Sequence, residues 1–367
     1  MITDKWEGKE FFKIDDFHHV EFFVNNAKQA VFYYNKLFGF DICGYKGPET
    51  NSPESVSYLL RKNCVNFVFT SPIKNSHPSC KWLAMHGEGV FDIAFKVNSA
   101  ENALNSCLER DANEYSDIEY IKEPGYCRKS IKTYGNTIHS FIEDANYDGY
   151  WAPLFEKIND KPGSDSHLIK IDHIVGNVEK GKMRLWQKFY SDVFGFMPFV
   201  KFDADDISTQ FSSLQSVVMR SKNWKIKLPI NEPADGINKS QIQEYLDFNQ
   251  GPGVQHIAIL TDDIISSIEN LRANGVEFLD VPDSYYDNIR SRIGSIDEDL
   301  KLLQKNRILI DRDAEGYLLQ LFTKPLEDKP TLFIEIIQRK GSRGFGQGNF
   351  QALFEAIERE QGKRGNL

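Results

Sequence analysis

The sequence predicts an α+β protein made of two similar halves, each built from units in which a strand leads into a helix and then into further strands. The first observation behind this prediction is a repeat at about half the chain length, between residues 17–40 and residues 171–196. Each segment opens on a strand that carries a histidine (His19 or His173), continues with apolar residues at helical spacing, and ends on Phe-Gly-Phe. This recurrence indicates a duplicated architecture.

The second observation is that two further segments repeat in the same order. Residues 87–112 match residues 251–276 as a strand, a polar helix start and a helix. Residues 138–145 and 331–338, "IHSFIEDA" and "TLFIEIIQ", have the pattern of the strands that close each half. Each half is therefore predicted to use the strand–helix–strands unit in a pair.

The two halves are predicted to be separate domains. The chain has 367 residues, which is more than one hydrophobic core usually holds. Residues 155–170 form a polar stretch with Pro, Gly and Ser, a composition that suits a linker. We place the domains at residues 1–155 and 156–367.

Composition narrows the class of protein. The chain is 41% hydrophobic and 13% aromatic, and its net charge is −9 with Lys and Arg scattered among Asp and Glu. That balance argues against nucleic acid or an anionic membrane surface as a partner, because both favour clustered basic charge. No apolar run approaches the length of a membrane span. Five cysteines without C-x-x-C spacing indicate reduced thiols, so we expect a cytoplasmic protein.

The repeat alignment places three polar positions of the first half on three of the second. The pairs are His19 with His173, Asp92 with His256, and Glu143 with Glu335. The second set combines two imidazoles and a carboxylate from three strands, which is the ligand composition of the 2-His-1-carboxylate sites that hold Fe(II). A metal would also compensate the charge of Glu335, which is otherwise a lone carboxylate in the apolar strand "LFIEIIQRKG".

The residues alone leave alternatives open. A strand histidine is often a hydrogen-bonded core residue, and a strand glutamate often faces solvent or an arginine. The same three ligands also accept manganese, nickel or zinc. In the first half, His19, Asp92 and Glu143 form a conceivable second set of ligands.

Six sequence motifs follow one another in the second half of the chain. They are "IDHIVGNV" (171–178), "LPINEP" (228–233), "KSQIQEYLDFNQGPGVQHIA" (239–258), "YLLQLFTKP" (317–325), "LFIEIIQRKG" (332–341) and "GFGQGNFQALFEAIEREQ" (344–361). In this order and approximate spacing they match motifs of the 4-hydroxyphenylpyruvate dioxygenases, which the chain resembles over essentially its whole length and most closely from about residue 165 onward. The resemblance implies the vicinal-oxygen-chelate fold, in which paired βαβββ modules form an open barrel in each domain. It also implies that only the second half carries Fe(II), on His173, His256 and Glu335.

The resemblance further implies a reaction. The family converts 4-hydroxyphenylpyruvate and dioxygen to homogentisate and carbon dioxide in the breakdown of tyrosine. The α-keto acid of the substrate can occupy open positions at the iron, so no separate 2-oxoglutarate is needed. Family members are dimers or tetramers, and we therefore expect a homodimer or homotetramer.

Other site residues follow from the positions that match the family's motifs. The polar set implied in catalysis is Ser216, Asn231, Gln241 and Gln320, and the set implied in substrate binding is Gln255, Phe322, Phe333, Phe350, Leu353 and Phe354. Strand alternation places Gln255 on the opposite face from His256 unless the strand is bent there. Without the resemblance, the apolar members would be interpreted as core, and Asn231 and Gln241 as turn or capping residues.

The C-terminal segment is predicted to be a lid helix. "GSRGFGQGNF" (341–350) contains four glycines and leads into an amphipathic helix that begins near Phe350. The resemblance implies that this helix covers the iron pocket and that the glycines allow it to move. A helix packed permanently on the barrel is the alternative interpretation.

Three other functions fit parts of the pattern. A 4-hydroxymandelate synthase has the same implied fold, ligands and substrate, but it hydroxylates the benzylic carbon. Phe322 favours ring attack, because the synthases tend to carry a smaller aliphatic residue at that position. A non-catalytic binding protein of the superfamily would not need the iron ligands. A metal-dependent isomerase of the glyoxalase kind would use a different ligand set.

Overall fold

The computed structural model describes residues 8–118, 122–202 and 213–366. The first half contains β1 (Ile14–Phe23), α1 (Ala27–Phe38), β2 (Asp41–Lys46), β3 (Ser55–Lys62), β4 (Val65–Pro72), α2 (Ser79–His86), β5 (Gly89–Val97), α3 (Ala100–Leu108), β6 (Cys127–Lys132), β7 (Ile138–Glu143) and β8 (Glu156–Lys161). The second half contains β9 (Leu168–Asn177), α4 (Met183–Phe194), β10 (Met197–Phe202), β11 (Ser213–Arg220), β12 (Lys227–Ala234), α5 (Gln241–Asn249), β13 (Gly253–Thr261), α6 (Ile264–Ala273), α7 (Ile289–Ile293), α8 (Leu300–Lys305), β14 (Leu309–Arg312), β15 (Tyr317–Phe322), β16 (Phe333–Lys340) and α9 (Phe350–Lys363).

The strands of the described residues form two sheets with the same internal order. The first sheet runs β6-β7-β5-β1-β4-β3-β2-β8, and the second runs β10-β11-β12-β9-β13-β16-β15-β14. In each sheet two antiparallel strands lie at the centre, β1 with β5 and β9 with β13, and each central strand has a parallel neighbour from its own module. The two βαβββ modules of each half therefore meet at the central pair of strands, which confirms the predicted fold class.

The first two repeat pairs coincide in the structure. His19 on β1 lies opposite Ala94 on β5, and His173 on β9 lies opposite Ala258 on β13. Each histidine therefore occupies the same place at the centre of its sheet. Asp92 and His256 lie two residues before these alanines on the second central strand, so they also correspond.

The third repeat pair, Glu143 with Glu335, is wrong by three residues. On the strand next to the second central strand, Glu335 lies opposite Ala258 and Ser140 lies opposite Ala94. Ser140 is therefore the counterpart of Glu335, and Glu143 lies further along its strand. The strand patterns of the two segments are too alike in hydrophobicity to reveal this shift.

Glu143 instead corresponds to Gln338, and both residues cap a helix. The Glu143 carboxylate accepts a hydrogen bond from the backbone N–H of Ala100 at 3.0 Å, at the start of α3. The Gln338 side-chain oxygen accepts from the backbone N–H of Ile264 at 2.9 Å, at the start of α6. Each side chain satisfies one of the unpaired donors at a helix N-terminus, so the role of Glu143 is structural.

The passage between the sheets lies slightly beyond the predicted domain boundary. The backbone of β8 pairs with β2, so residues 156–161 belong to the first sheet. The chain then reaches the second sheet at Leu168. The division at residues 155 and 156 remains a prediction, and sheet pairing places the change of sheet within residues 162–167.

A buried hydrogen bond joins the two halves within one continuous hydrophobic core. Nδ1 of His139 on β7 donates to the carbonyl of Ile93 at 3.1 Å, and Nε2 then accepts from the hydroxyl of Tyr190 on α4 at 2.7 Å. Burial lowers the pKa of His139 to about 4, so the imidazole is neutral at pH 7. Both polar groups are thereby satisfied inside the core.

We predict that Tyr190→Phe lowers the free energy of unfolding by about 1–3 kcal/mol, because it leaves the acceptor nitrogen of His139 buried without this donor. Equilibrium denaturation followed by circular dichroism measures the change. Tyr45→Phe, which removes a hydroxyl from a more exposed pair with Glu49, is the matched control and should cost about 0.5 kcal/mol or less. Equal effects of the two substitutions would contradict the prediction.

Candidate metal centre

Three side chains from neighbouring strands converge at the centre of the second sheet. His173 on β9, His256 on β13 and Glu335 on β16 are 3%, 8% and 3% exposed. Oε2 of Glu335 lies 3.2 Å from Nε2 of His173 and 3.3 Å from Nε2 of His256. The sequence-predicted ligands therefore form one buried cluster, whose donor atoms lie within 4.8 Å of one another.

Two β-bulges place the residue before each histidine on the same side of the sheet as the histidine. Ala258 pairs with His173 and the next residue of β13 pairs with Ile171, which leaves Asp172 as the extra residue of β9. In the same way Gln255 is the extra residue of β13. A bulge interrupts the alternation of side chains and re-aims them. The bend that the position of Gln255 requires is therefore present.

Asp172 and Gln255 each accept a hydrogen bond from Nδ1 of the neighbouring histidine, the ring nitrogen that faces away from Glu335. Nδ1 of His173 donates to Oδ2 of Asp172 at 2.8 Å, and Nδ1 of His256 donates to Oε1 of Gln255 at 3.0 Å. An acceptor at Nδ1 selects the tautomer in which Nε2 carries a lone pair. Both lone pairs are thus directed toward Glu335.

Asp172 is itself held by two cations. Its carboxylate accepts from Nζ of Lys227 at 2.9 Å and from Nε and Nη2 of Arg339 at 2.9 and 2.8 Å. Burial would raise the pKa of Asp172, but Arg339 and Lys227 outweigh it and hold the pKa well below its usual range. The residue that orients His173 therefore stays ionised.

The electrostatics of the cluster favour a bound cation. Burial would raise the pKa of Glu335, but His173 and His256 outweigh it and lower the pKa to about 2. Burial lowers the pKa of His173, but Glu335 and Asp172 outweigh it and raise the pKa, so a proton is favoured between these groups. Without that proton, two nitrogen lone pairs and a carboxylate oxygen converge on one point. That arrangement is stable when a cation or an added proton lies between the three groups. Two imidazoles with one carboxylate are suitable ligands for a divalent transition metal. The residues therefore fit a metal ion.

A cavity next to the cluster brings together most of the predicted site residues. Those that line it with the three candidate ligands are Ser216, Asn231, Gln241, Gln255, Phe322, Phe333, Phe350, Leu353 and Phe354. Phe333 stacks on the ring of His256 with centroids 4.7 Å apart, so it forms the wall beside the cluster. One side of the cavity is thus aromatic.

The polar side chains of the cavity come from strands β11 and β12 and from helix α5. Ser216 on β11 lies directly opposite Asn231 on β12, and Gln241 is the first residue of α5. The side chain of Asn231 donates to Asn177 at 3.3 Å. Ser240, and not Gln241, caps this helix, so capping does not account for the Gln241 side chain.

Gln320 is the one predicted site residue that does not line this cavity. It is 1% exposed and its amide lies against Gly346 in the glycine-rich segment. Gly346 has φ of 75°, and a Cβ there would come within 2.4 Å of the Gln320 nitrogen. Gln320 thus supports the segment that leads into α9.

The sequence interpretation missed several residues of the site. Asp172, Lys227 and Arg339 form the charged network behind His173, and Phe345 lies over His173 with ring centroids 5.0 Å apart. The aliphatic and aromatic lining residues that were also missed are Val175, Phe202, Leu214, Val218 and Pro229. The adjacent Asp-His pair in "IDHIV" was the available signal for Asp172.

Helix α9 covers the cavity. Phe350, Leu353, Phe354 and Ile357 face inward, as the amphipathic pattern predicts. At its C-terminal end, Arg364 donates to the Glu244 carboxylate at 2.7 and 3.2 Å, which ties α9 to α5. Movement of α9 as a lid remains a prediction.

The corresponding place in the first half holds a charged cluster of different composition. His19, Glu21 and Asp92 are buried with their ligand atoms within 4.8 Å of one another. Nη2 of Arg128 donates to Oε2 of Glu21 and to Oδ2 of Asp92, both at 2.9 Å. Burial raises the pKa of Asp92 to about 7 even though Arg128 opposes the shift.

Comparisons with known proteins identify the family. Residues 170–321 match the model of the Glyoxalase/Bleomycin resistance protein/Dioxygenase superfamily. The chain is 45% identical to a 4-hydroxyphenylpyruvate dioxygenase from Tetrahymena thermophila, with 100% of this chain and 94% of the relative covered. It is 44% identical to the 4-hydroxyphenylpyruvate dioxygenase of Danio rerio, with 100% of this chain and 95% of the relative covered.

The chain belongs to the 4-hydroxyphenylpyruvate dioxygenase family. The predicted family and enzyme class, an oxidoreductase, are thereby confirmed, and membership implies a metal centre. Among solved structures, a mutant of 4-hydroxymandelate synthase from Streptomyces coelicolor is similar, with a TM-score of 0.84, 27% identity, and 95% of this chain and 99% of that chain covered. Within the described residues, no helix has both the length and the apolar character needed to cross a membrane.

We predict that Asp172→Ala lowers the free energy of unfolding of the metal-free protein by about 3–5 kcal/mol, because it leaves Lys227 and Arg339 without their buried counter-charge. Urea denaturation in the presence of a chelator measures the change. Asp235→Ala removes an exposed partner of Lys180 and should cost about 1 kcal/mol or less. A loss at Asp172 no larger than that of this control would show that the network is not stabilising.

Proposed function

We propose that this chain is an Fe(II)-dependent dioxygenase that converts 4-hydroxyphenylpyruvate and dioxygen to homogentisate and carbon dioxide. One observation carries the proposal: a buried set of two imidazoles and one carboxylate borders a cavity with one aromatic and one polar side. Family membership over the full chain supports the choice of substrate.

Fe(II) would be held by Nε2 of His173, Nε2 of His256 and a carboxylate oxygen of Glu335. When bound, the ion would supply Lewis-acid and redox chemistry for the reaction with dioxygen, while the net electrons would come from the substrate as it is oxidised and loses carbon dioxide. Asp172 and Gln255 hold Nδ1 of each ring as a donor, so that Nε2 is the atom left for the metal. Burial lowers the pKa of His173, but Glu335 and Asp172 outweigh it and raise the pKa, so a binding metal would displace a proton from this ring.

The aromatic side of the cavity would position the substrate ring. Phe322 and Phe333 come from the strands next to the metal ligands, whereas Phe350, Leu353 and Phe354 come from α9. A ring held between these two groups has little freedom to turn, which favours attack at one carbon. Because Phe333 is stacked on His256, its position is fixed together with that of a ligand.

The polar side would bind the phenol end of the substrate. Ser216, Asn231 and Gln241 present a hydroxyl and two amides to the cavity, and together they can donate to and accept from a phenol. Gln255 would orient the ring of His256 through its hydrogen bond to Nδ1, and it also lines the cavity. Gln320 would act indirectly, by supporting Gly346 and hence the start of α9.

Water exclusion is the proposed role of α9. Its apolar face closes the cavity, and the Glu244–Arg364 ion pair holds its last turn against α5. Exclusion of water protects a reactive centre from side reactions. The glycine-rich segment before the helix would allow it to open for the substrate.

The second candidate function is 4-hydroxymandelate synthesis. The similar structure of a 4-hydroxymandelate synthase favours keeping this candidate, because it spans 95% of this chain. The lower identity to that protein, 27% against 45% for the dioxygenase from Tetrahymena thermophila, favours homogentisate. Phe322, which the family resemblance associates with ring attack, favours the same product.

The proposal extends to assembly and location. We propose a homodimer or homotetramer in the cytoplasm, on the strength of family membership and of the reduced cysteines. Size-exclusion chromatography with light scattering measures the assembly.

We predict that the purified protein, loaded anaerobically with Fe(II) and then given 4-hydroxyphenylpyruvate and air, forms homogentisate. Liquid chromatography with mass spectrometry identifies the product, and an oxygen electrode records uptake. 4-Hydroxymandelate as the main product would establish the second candidate. Absence of oxygen uptake would contradict both.

We predict that Glu335→Gln weakens Fe(II) binding by more than the roughly 10–100-fold that loss of an outer partner costs. The amide carries no charge to attract the ion, so turnover should fall in parallel. Equilibrium dialysis measures metal affinity, and circular dichroism checks the fold. Glu143→Gln, at the position that the sequence repeat wrongly paired with Glu335, is the matched control and should leave both quantities unchanged. Undiminished metal affinity in Glu335→Gln would remove Glu335 from the ligand set.

A further inference from the structure

The first half carries a guanidinium nitrogen at the place where a cation would sit. Nη2 of Arg128 lies 2.9 Å from a carboxylate oxygen of Glu21 and 2.9 Å from one of Asp92. Both carboxylates are at most 8% exposed, and His19 is buried beside them. One positively charged guanidinium nitrogen thus lies between two buried carboxylate oxygens.

The cluster is built in the same way as the metal centre. Nδ1 of His19 is engaged by Nδ1 of His18 at 2.7 Å, and His18 is the extra residue of a β-bulge, as Asp172 is in the second half. His19 therefore has its second nitrogen, Nε2, left for the cluster, which is the arrangement found for His173.

The two carboxylates are also held from behind. Oε1 of Glu21 accepts from the hydroxyl of Thr70 at 2.7 Å, and Oδ1 of Asp92 accepts from the backbone N–H of Ser140 at 3.0 Å. In each carboxylate one oxygen is fixed by the protein and the other is directed at Arg128. This is the orientation that outer partners impose on carboxylate ligands of metals.

Strand register gives Arg128 its counterpart in the second half. Arg128 lies opposite Ile142, and Gln320 lies opposite Ile337 on the corresponding pair of strands. The half with the candidate metal centre therefore has a neutral glutamine where the first half has an arginine. In the second half a metal ion would supply positive charge near this position, whereas in the first half the Arg128 side chain supplies it.

We propose that Arg128 is an internal replacement for a divalent cation, and that His19, Glu21 and Asp92 form a latent divalent-metal site that this arginine keeps closed. A guanidinium and a divalent ion satisfy the same two carboxylates, but they cannot occupy the same place. The ligand class is a transition-metal dication, since one imidazole and two carboxylates suit Mn²⁺, Fe²⁺ or Co²⁺. The proposal does not rest on the proposed function of the second half.

The test is Arg128→Gln, which installs the residue found at the counterpart position. It is made in a Glu335→Gln background, so that binding is read as a difference between two proteins that share the same second half. We expect Arg128→Gln/Glu335→Gln to bind about one more Co²⁺ per chain than Glu335→Gln alone, measured by metal analysis after dialysis and by the visible absorption of bound Co²⁺. We also expect added Co²⁺ to raise the Tm of the double variant only.

Two matched controls separate a new site from non-specific binding. Arg128→Lys keeps a cation in place, so the Arg128→Lys/Glu335→Gln protein should bind no additional Co²⁺. Adding Asp92→Asn to the double variant removes a ligand and should abolish the gain. A folded double variant that binds no more Co²⁺ than Glu335→Gln overturns the proposal.

If the double variant is purified unfolded because two carboxylates have lost the charge of Arg128, it is refolded from urea with and without Co²⁺. Recovery is followed by circular dichroism. Recovery that depends on Co²⁺ supports the proposal. Recovery that is equal in both conditions without bound metal, or no recovery in either, overturns it.

Discussion

The burial of carboxylate charge at the centre of each sheet is the constraint on which the rest of the structure depends. Glu335 is 3% exposed on a core strand, and its counterpart cluster in the first half buries Glu21 and Asp92. An isolated buried carboxylate is too costly to persist, so each half must bring positive charge or hydrogen-bond donors to that point. The second half does so with two imidazoles arranged for a metal, and the first does so with Arg128.

The two bulges orient the histidines of the second half toward Glu335. In regular strands Asp172 and Gln255 would lie on the face opposite their histidines, and each ring would be free to turn. Because each bulge adds one residue, an acceptor reaches Nδ1 and directs Nε2 at Glu335. Lys227 and Arg339 then keep Asp172 ionised, so that the orientation of His173 is maintained by charge and not by packing alone.

Local pattern was enough to predict the two-fold repeat, the central histidines and the apolar face of α9, since these depend on spacing within one element. It was not enough for the pairing of Glu143 with Glu335, because the register between neighbouring strands depends on turns and bulges that hydrophobic alternation does not reveal. Lys227 and Arg339 reach Asp172 from strands far away in sequence, and no local signal connects them. Gln320 matched a family motif, yet its side chain supports Gly346 because the glycine-rich segment folds back over it.

The two halves compensate buried carboxylate charge at corresponding positions with different groups. A guanidinium offers hydrogen-bond donors in a fixed plane and no positions at which a substrate atom can coordinate. Arg128 therefore pairs with its carboxylates and offers no position at which a small molecule could coordinate. Gln320 brings no charge to the corresponding point of the second half, where a protonated imidazole or a metal ion compensates Glu335. Under the proposed function, arginine at one position and glutamine at its counterpart separate the half without a metal from the half that holds one.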